Sequence, residues 1–541
     1  MPKIKLNYWV IIIGVSLWAL SLTAVAADVR PVLLKIRRAE RTVNKAETQI
    51  KQAESEFRFF DSDLVYSSLK EAIDYLEKAE KNYEKEKDEA AVEYSKKAVD
   101  QAEKTILRTS PSLPVQVRGM WLDSKTIAAA GDREGLQNLM EKIQEAGFNL
   151  ILPEVFYKGM TVIPDNELFV QDTKFSSWEE DPLQIIIEEA EKRDLQVHAW
   201  VWVFNENTHG QPGIILKNHP DWANKDKKGN IVTYHNSSWL SPASEEVRDF
   251  LVERYLYLVD NYDLDGVNLD YIRFPEEYRA SYGFDEHTVS SFQEKYDIDP
   301  FEIESGSSEA EKWNKFREEL ITEMVSYTSK KLKNKDPQII ISADVIPGRE
   351  EAKYRALQNW DLWLNKGYVD FVLPMTYTEN LFDELSGWLK EENQNINHYF
   401  FPGISIFKIT PEQMVNQILK INNINPEGLS LFAAAHLKQE HYNRLAEGPF
   451  REKAVIPYSS EDEAKRLIRA RINKKIKMLV ENNIMDAEVG DKLEKIMANK
   501  EERISLLNEL EEDGKQKAVD ILKFEVDYLD KINTKTINFQ K

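Results

Sequence analysis

The sequence contains no cysteine among its 541 residues. This absence excludes disulfide bonds, thiolate metal ligands and cysteine nucleophiles, and it is typical of an exported bacterial protein that avoids disulfide chemistry. Histidine is also scarce, with 8 residues. The chain lacks the H-x-x-x-H and H-E-x-x-H spacings that bring histidines together around zinc. We therefore expect neither a metal nor another cofactor.

The chain also lacks an excess of basic residues. Lys and Arg number 71 against 93 Asp and Glu, which gives a formal net charge of -22. Nucleic acids and anionic lipids are held by clustered positive charge, so this balance argues against nucleic acid as the main partner and against a polybasic membrane contact. G-x-S-x-G and P-loop patterns are absent, which disfavours esterase and nucleotide chemistry.

The N-terminus has the form of an export signal. Lys3 and Lys5 precede an apolar run, and Ala24-Val25-Ala26 has the small-residue pattern of a cleavage site. We interpret residues 1–26 as a signal peptide, with an uncleaved membrane tether through residues 9–26 as the alternative. Either interpretation predicts a secreted or cell-envelope protein of a bacterium.

Two segments rich in Lys, Glu and Ala flank the middle of the chain. Residues 28–110 and 458–541 carry apolar residues at intervals of three and four, which predicts amphipathic helices with coiled-coil character. We call these segments the helical arms and expect small solvated bundles that pack on the central domain or on a protein partner. An envelope tether is the alternative role.

Residues 115–450 alternate between short β-branched or aromatic runs and amphipathic helices. Eight such runs predict an α/β fold, a (β/α)8 TIM barrel, with an open doubly wound sheet as the competitor. The predicted strands are VRGMWLD, NLILPEV, QVHAWVWVF, DGVNLDYIRF, IIISADV, DFVLPMTYT, YFFPGIS and GLSLFAAA.

The fourth predicted strand, in DGVNLDYIRFP, carries the strongest signal for a site. Because side chains alternate between the two faces of a strand, Asn268 and Asp270 share one face, and Val267 and Leu269 share the other. The apolar face suits the surrounding helices, so the polar face should line the lumen. Active groups in such barrels come from the C-terminal strand ends. A structural ion pair between Asp270 and Arg273 is the alternative.

The fifth predicted strand places a second carboxylate beside the first, since Asp344 shares a face with Ser342 and Ile340. Glycoside hydrolysis needs two carboxyl groups, one ionised and one protonated. Asp270 is the candidate nucleophile or stabiliser, and Asp344 is the first choice of general acid. Other candidates for the proton donor, or for substrate binding, follow the ends of other strands: Glu154, Glu206 and Glu379.

Aromatic side chains crowd the predicted strand ends. Trp121, Tyr271 and Tyr377 are candidates for stacking on the apolar faces of sugar rings, while we expect Trp200 and Trp202 to pack in the core. His198 is interpreted as a hydrogen-bonding wall of the site rather than as a metal ligand.

The first four strand motifs and FVLPMTY together resemble the glycosyl hydrolase-like 10 family over most of residues 115–448. The most specific element is DGxxxDYIRFP. The resemblance implies a TIM-barrel glycoside hydrolase that is exported and acts on a glycan. It also implies Asp270 as the leading nucleophile candidate, with Arg118, Asn205 and Arg273 as cleft residues.

Three functions remain open at this point. The preferred one is a glycoside hydrolase acting on cell-envelope or extracellular polysaccharide, with peptidoglycan strands as one case. The second is a non-catalytic glycan-binding barrel whose helical arms organise envelope partners. The third is a metal-dependent deacetylase or other hydrolase.

Overall fold

The computed structural model describes residues 31–233, 235–277, 281–379, 384–395, 397–497, 499–535 and 537. The predicted signal peptide, residues 1–26, lies outside this range. Within the described part of the chain, no helix combines the length and apolar character needed to cross a bilayer.

The central domain is built on a parallel sheet that closes on itself. Along the sheet the hydrogen-bonded order is β10-β9-β8-β7-β4-β2-β1-β12-β11, while β3 pairs with β2 and β5 pairs with β6 in antiparallel ribbons. The strands are β1 Val117–Leu122, β2 Leu150–Tyr157, β3 Met160–Thr161, β4 Gln196–Trp202, β5 Asn205–Asn207, β6 Ser238–Trp239, β7 Gly266–Asp270, β8 Ile340–Val345, β9 Phe371–Pro374, β10 Tyr399–Phe400, β11 Gly403–Ser405 and β12 Gly428–Phe432.

Closure depends on one interrupted strand. β10 pairs with β9 and β11 pairs with β12, and only Phe401 and Pro402 separate β10 from β11 in the chain. Residues 399–405 therefore join the two ends of the sheet as a single barrel strand. Each of the eight predicted strand segments contains one strand of this barrel, so the (β/α)8 prediction is confirmed and the open sheet is excluded.

Helices surround the barrel and form both arms. Those of the N-terminal arm, the barrel and the C-terminal arm are, in order, α1 Pro31–Ser55, α2 Ser62–Glu84, α3 Asp88–Arg108; α4 Ser124–Ala130, α5 Arg133–Glu145, α6 Pro182–Glu191, α7 Ile214–Asn218, α8 Glu245–Asn261, α9 Glu286–Tyr296, α10 Ser308–Lys335, α11 Arg349–Ala356, α12 Trp360–Asn365, α13 Glu384–Asn395, α14 Pro411–Ile424, α15 Gln439–Glu447; α16 Glu461–Glu481, α17 Ala487–Lys495, α18 Lys500–Glu512 and α19 Gln516–Thr534.

Local sequence explains where the barrel helices begin. The side chain of Asp181 accepts hydrogen bonds from the first turn of α6, where Pro182 occupies the first position. Thr410 and Gln413 form a capping box at the start of α14. Such caps satisfy backbone N–H groups that have no partner within the helix. They fix the lengths of the loops and thus the strand ends that surround the site.

The helical arms dock on the barrel in different ways. In the N-terminal arm half of the buried positions of α1–α3 are alanine, which allows the helices to pack closely. Arg108 and Arg444 link this arm to α15 through ion pairs with Glu447 and Glu103. The C-terminal arm covers the amino-terminal end of the barrel, where the hydroxyl of Tyr528 donates to the carbonyl oxygen of Val115.

Candidate active site

A cavity of about 850 Å³ opens at the carboxyl-terminal end of the barrel strands. Its floor contains Asp270 from the end of β7 and Asp344 from β8, and its walls include residues from the segments after β1, β2, β5, β7, β9, β11 and β12. This is the end of a TIM barrel that carries active sites.

The carboxylate of Asp270 is held by two hydrogen bonds. Its Oδ2 accepts from the indole Nε1 of Trp200 at 3.0 Å, and its Oδ1 accepts from the backbone N–H of Tyr271 at 2.7 Å. Tyr271 has φ of +52°, in the left-handed region that a bulky residue rarely adopts. Strain of this kind concentrates at functional sites, and here it aims the peptide N–H at the carboxylate.

Asp344 lies beside Asp270 and is held in the same manner. Leu269 of β7 pairs with Ala343 of β8, so the next residues, Asp270 and Asp344, stand on neighbouring strands that lie about 4.8 Å apart. Oδ1 of Asp344 accepts from Asn268 at 3.1 Å, and Oδ2 accepts from Nε1 of Trp121 at 3.2 Å. Four separate N–H donors therefore fix the two carboxyl groups.

Burial and mutual repulsion separate the proton affinities of this pair. Burial raises the pKa of Asp270 to about 6, against the lowering effects of the Tyr271 N–H, Arg273 and Trp200. Burial also raises the pKa of Asp344 well above its ordinary value, and the neighbouring charge of Asp270 adds to that shift. Two close carboxylates resist ionising together, so Asp344 keeps its proton after Asp270 has lost its own.

Glu154, at the carboxyl half of β2, is a third carboxyl group in the cavity wall. Its Oε2 accepts from the backbone N–H of Ser124 at 2.9 Å, and burial raises its pKa. The structure thus brings Glu154 together with Asp270 and Asp344, whereas Glu206 and Glu379 do not line the cavity.

Arg273 lines the cavity but does not form the ion pair with Asp270 that the sequence suggested as the alternative. Its Nη2 lies 3.8 Å from Glu276, and its guanidinium lies over the rings of Trp239 and Tyr271, 5.1 and 5.4 Å from their centres. Arg273 lowers the pKa of Asp270 through its charge, without a direct hydrogen bond among the described residues. The alternative of a structural ion pair between Asp270 and Arg273 is therefore excluded.

Aromatic rings form much of the wall. Tyr271 and Tyr377 line the cavity as expected, and Trp239 supports Tyr271 from behind with ring centres 5.7 Å apart. Trp200 and Trp202, which we expected in the core, also line the cavity. Both are buried as expected, with 4% and 8% exposure, and the strand alternation that sends Val201 to the opposite face turns them toward the lumen.

Several predicted residues support the site from below. Asn268 and Trp121 do not line the cavity but donate to Asp344. Glu206 accepts from the N–H groups of Gly213 and Ile215 and from the hydroxyl of Ser238, which anchors the start of α7. Burial raises the pKa of Glu206. Its partners are a helix terminus and a strand, so it fixes a loop of the cavity rim.

Other predicted residues lie away from the cavity. Asn205 pairs with Trp239 across the β5–β6 ribbon, and the backbone carbonyl of Glu379 accepts from Gln417. His198 is fully buried within the barrel, its ring is stacked on Phe371, and its nitrogens have no hydrogen-bond partner among the described residues. It is not the hydrogen-bonding wall that we predicted.

Arg118, a cleft residue by the resemblance, lies at the opposite end of the barrel. It follows the first residue of β1, where its fully buried guanidinium donates to the carbonyl oxygens of Leu113, Gly147, Phe450 and Glu452. Burial lowers its pKa to about 9. Arg118 therefore joins loops at the amino-terminal end and is remote from the carboxylates.

Sequence reasoning missed many residues of the cavity wall, and Phe407 and Lys158 are two of them. Phe407 is 48% exposed although large and apolar, and it meets Phe432 and His436 at the rim. Lys158 follows β2 directly and lines the cavity. Both residues lie shortly after a predicted strand. That position selected acidic residues as candidates for the site, but it did not select these two.

No group of three or more His, Asp or Glu side chains arranged to hold a metal ion occurs within the described ranges. The donors that face the cavity floor are indole, amide and backbone N–H groups, which hydrogen-bond carboxylates and do not bind cations.

The chain is similar to proteins named as glycosyl hydrolases. The chain is 22% identical over 350 residues to the glycosyl hydrolase YngK of Bacillus subtilis (strain 168), which covers 55% of this chain and 62% of YngK. It is 22% identical over 359 residues to the glycosyl hydrolase DigH of Escherichia coli (strain K12), covering 59% of this chain and 79% of DigH. The chain thus matches less than two thirds of the length of YngK.

Among solved structures, the alpha-L-fucosidase isoenzyme 2 from Paenibacillus thiaminolyticus aligns with a TM-score of 0.46 and 13% identity, covering 62% of this chain and 48% of the other. A likeness at this level adds nothing to the assignment, which depends on the strand order and on the family. The model of the family described as glycosyl hydrolase-like 10 matches residues 116–419, from the first barrel strand into α14. The chain belongs to the glycosyl hydrolase-like 10 family.

Proposed function

We propose that this protein is an exported glycoside hydrolase that cleaves a cell-envelope or extracellular polysaccharide with the carboxyl pair Asp270 and Asp344. The observation that carries the proposal is the placement of these two groups side by side on the cavity floor, with proton affinities that differ. Environments that push two pKa values apart are the usual basis for assigning the acid and the base of a site.

In the proposed reaction Asp344 is the general acid. Its proton moves to the glycosidic oxygen as the bond from that oxygen to the anomeric carbon breaks, and the leaving sugar departs as an alcohol. The ionised Asp270 faces the positive charge that develops at the anomeric carbon, either as nucleophile or as electrostatic stabiliser. Water supplies the hydroxyl group that completes hydrolysis, and its remaining proton restores the acid.

The hydrogen-bond partners and neighbouring charges of the two carboxyl groups support these roles. Asp270 accepts from the peptide N–H of Tyr271 and is within the field of Arg273, both of which favour its ionised form. Asp344 receives hydrogen bonds only from neutral donors and lies beside the charge of Asp270. An acid that stays protonated near neutral pH needs such a combination of burial and a like-charged neighbour.

The aromatic wall fits a glycan chain. Phe407 at the rim and Tyr271 and Tyr377 deeper in the cavity present rings to the space above the carboxyl pair. Sugar rings expose apolar C–H faces that stack on aromatic side chains, while their hydroxyls need polar partners. The export expected from residues 1–26 makes envelope or extracellular polysaccharide the accessible substrate, with peptidoglycan strands included.

The test is release of reducing ends from purified cell-wall glycan, both intact and stripped of peptides. Wild type, Asp270→Asn, Asp344→Asn and the surface control Asp194→Asn are compared. We expect product from wild type and from the control, and at least about 100-fold less from the two site variants, because each loses a group that acts on the reacting atoms. A chelator should leave the wild-type rate unchanged.

Two results would oppose the proposal. If wild type releases nothing but sediments with the glycan as strongly as Asp270→Asn does, the barrel binds glycan without cleaving it. If a chelator abolishes product release, the metal-dependent hydrolase replaces the carboxyl-pair mechanism.

A further inference from the structure

A lysine occupies an unfavourable backbone position beside the carboxyl pair. Lys158 and Gly159 are the two central residues of the tight turn that joins β2 to β3, where Tyr157 pairs with Met160. Both have positive φ, +51° for Lys158 and +72° for Gly159. Two-residue hairpin turns with this conformation favour Asn-Gly or Asp-Gly, because a left-handed backbone is costly for other side chains.

The ammonium of this lysine has no ion-pair partner within the described part of the chain. Lys158 is half-buried in the cavity wall, and its Nζ lies 5.5 Å from the centre of the Trp202 ring. The neighbouring Lys174, in contrast, pairs with Asp172 at 2.5 Å. Burial lowers the pKa of Lys158, and the nearby charges of Lys174 and Lys125 lower it further, against the opposing charge of Glu154. The ammonium of Lys158 is thus near carboxylates but not paired with one of them.

The position of Lys158 relates it directly to the chemistry. Trp202, over which its ammonium lies, packs against Tyr271 with ring centres 4.6 Å apart, and Tyr271 follows Asp270. A substrate group that meets this ammonium would therefore be attached to a sugar next to the bond being cleaved. The cavity is lined by five basic and five acidic side chains, whereas the protein as a whole has a net charge of -22, so the cavity is less acidic than the rest of the chain.

We propose that Lys158 binds a carboxylate carried by a sugar of the substrate, so that the enzyme selects an anionic glycan. This inference rests on the proposed function and names its substrate class. A single ammonium without an ion-pair partner among the described residues matches a singly charged group, and pairing in a partly dehydrated cavity is stronger than at the surface. The strained turn holds the ammonium over Trp202, where an Asn-Gly turn would supply no positive charge.

The test compares each polymer with its own carboxyl-reduced form, in which the carboxylate becomes a neutral CH2OH and the sugar chain is otherwise unchanged. The polymers are peptide-stripped cell-wall strands, which carry a lactyl carboxylate, and polygalacturonate, which carries a ring carboxylate. Dissociation constants are measured on proteins that also carry Asp270→Asn, so that no polymer is consumed. Cleavage rates are measured in parallel on proteins with Asp270 intact.

We expect at least one carboxylated polymer to bind about tenfold more tightly than its reduced form, which corresponds to about 1.4 kcal/mol. Lys158→Asn suits the turn and removes the charge, so it should fold at least as well as wild type while the ratio falls to about one. Lys158→Arg should retain the preference. The control is Lys366→Met, at the residue that follows α12 and precedes β9. This variant should retain the preference as well.

The outcomes separate the two proposals. If the charged and reduced polymers are both cleaved and bind with equal affinity, the role of Lys158 is overturned and the proposal of a hydrolase stands. Discrimination that Lys158→Asn abolishes, without cleavage of any polymer, upholds the role of Lys158 and overturns the hydrolase. Absence of binding to both carboxylated polymers overturns the inference, and the preferred polymer of the two identifies the source of the carboxylate.

Discussion

The indole Nε1 of Trp121, on the first barrel strand, donates a hydrogen bond of 3.2 Å to Oδ2 of Asp344 on the fifth. Gly403 of β11 leaves room for the same indole, since a Cβ there would lie 3.1 Å from the Trp121 ring. The candidate general acid is thus oriented by a side chain that lies on the far side of the barrel lumen.

Trp121→Phe should alter the titration of Asp344 as well as the rate. The indole N–H favours the ionised carboxylate and so lowers the pKa of Asp344. Its removal should raise that pKa, so that the alkaline limb of the pH–rate profile moves to higher pH. Loss of orientation should lower kcat by roughly 10- to 100-fold. The matched control is Trp363→Phe, whose indole donates to Thr322 outside the cavity. Equal profiles for wild type and Trp121→Phe would contradict the assignment of Asp344 as the acid.

The pH dependence of kcat/KM should be bell-shaped. Asp270 must be ionised, and burial sets its pKa to about 6, so the rate should fall about tenfold per pH unit below that value. Asp344 must be protonated, which places the alkaline limb above the acid limb. In Asp270→Asn the repulsion is gone, and the pKa of Asp344 should fall. Carbon-13 NMR of labelled aspartate measures this change, and an unchanged Asp344 titration would show that the two groups are not coupled.

His198 should affect how the free energy of unfolding depends on pH, but it should not affect catalysis. Burial lowers its pKa from 6.5 to about 3. The unfolded chain binds a proton below pH 6.5 while the folded chain does not, so this residue reduces the free energy of unfolding as pH falls from 6.5 toward 3. The loss is about 1.4 kcal/mol per pH unit below pH 6.5.

His198→Phe should remove this part of the pH dependence, since it replaces an imidazole without hydrogen bonds among the described residues by an apolar ring beside Phe371. Denaturation by urea at pH 5 and pH 7 measures the difference for both proteins. A pH–rate profile that changed in His198→Phe would instead indicate a role in the site.

Arg118→Met should destabilise the protein without impairing the site. The substitution leaves four backbone carbonyl oxygens, two of them in buried hydrogen bonds and two in partly buried ones, without their guanidinium partner. Each such group costs about 1–3 kcal/mol, so the total loss should exceed about 3 kcal/mol. The kcat/KM of the folded fraction, measured well below the melting temperature, should stay within about twofold of wild type. A selective loss of kcat/KM would instead support the role in the cleft that the resemblance implies for Arg118.

The barrel was predictable because its signals are local. Each strand is a short run of β-branched or aromatic residues between amphipathic helices, and the alternation of residues along β7 and β8 is enough to place Asp270 and Asp344 toward the lumen. These predictions required only the period of a strand and the rule that barrel sites lie at carboxyl-terminal strand ends.

The remaining assignments depended on partners that are distant in sequence. Arg118 belongs to the opposite end because its acceptors come from residues as far along the chain as Glu452. Glu206 holds the start of α7 rather than a substrate because Gly213 and Ser238 converge on it. For Lys158, the local pattern Lys-Gly after a strand was visible, but its meaning required the positive φ of the turn.

The contact between Tyr528 and Val115 joins residues that are 413 positions apart. Val115 also pairs with Val455, and it leads directly into the first barrel strand. Contacts of such long sequence separation form late, because a long loop must close before they contribute stability. The residue that leads into the first barrel strand therefore completes its contacts only after α19 has been synthesised, and we expect the barrel and the C-terminal arm to unfold together.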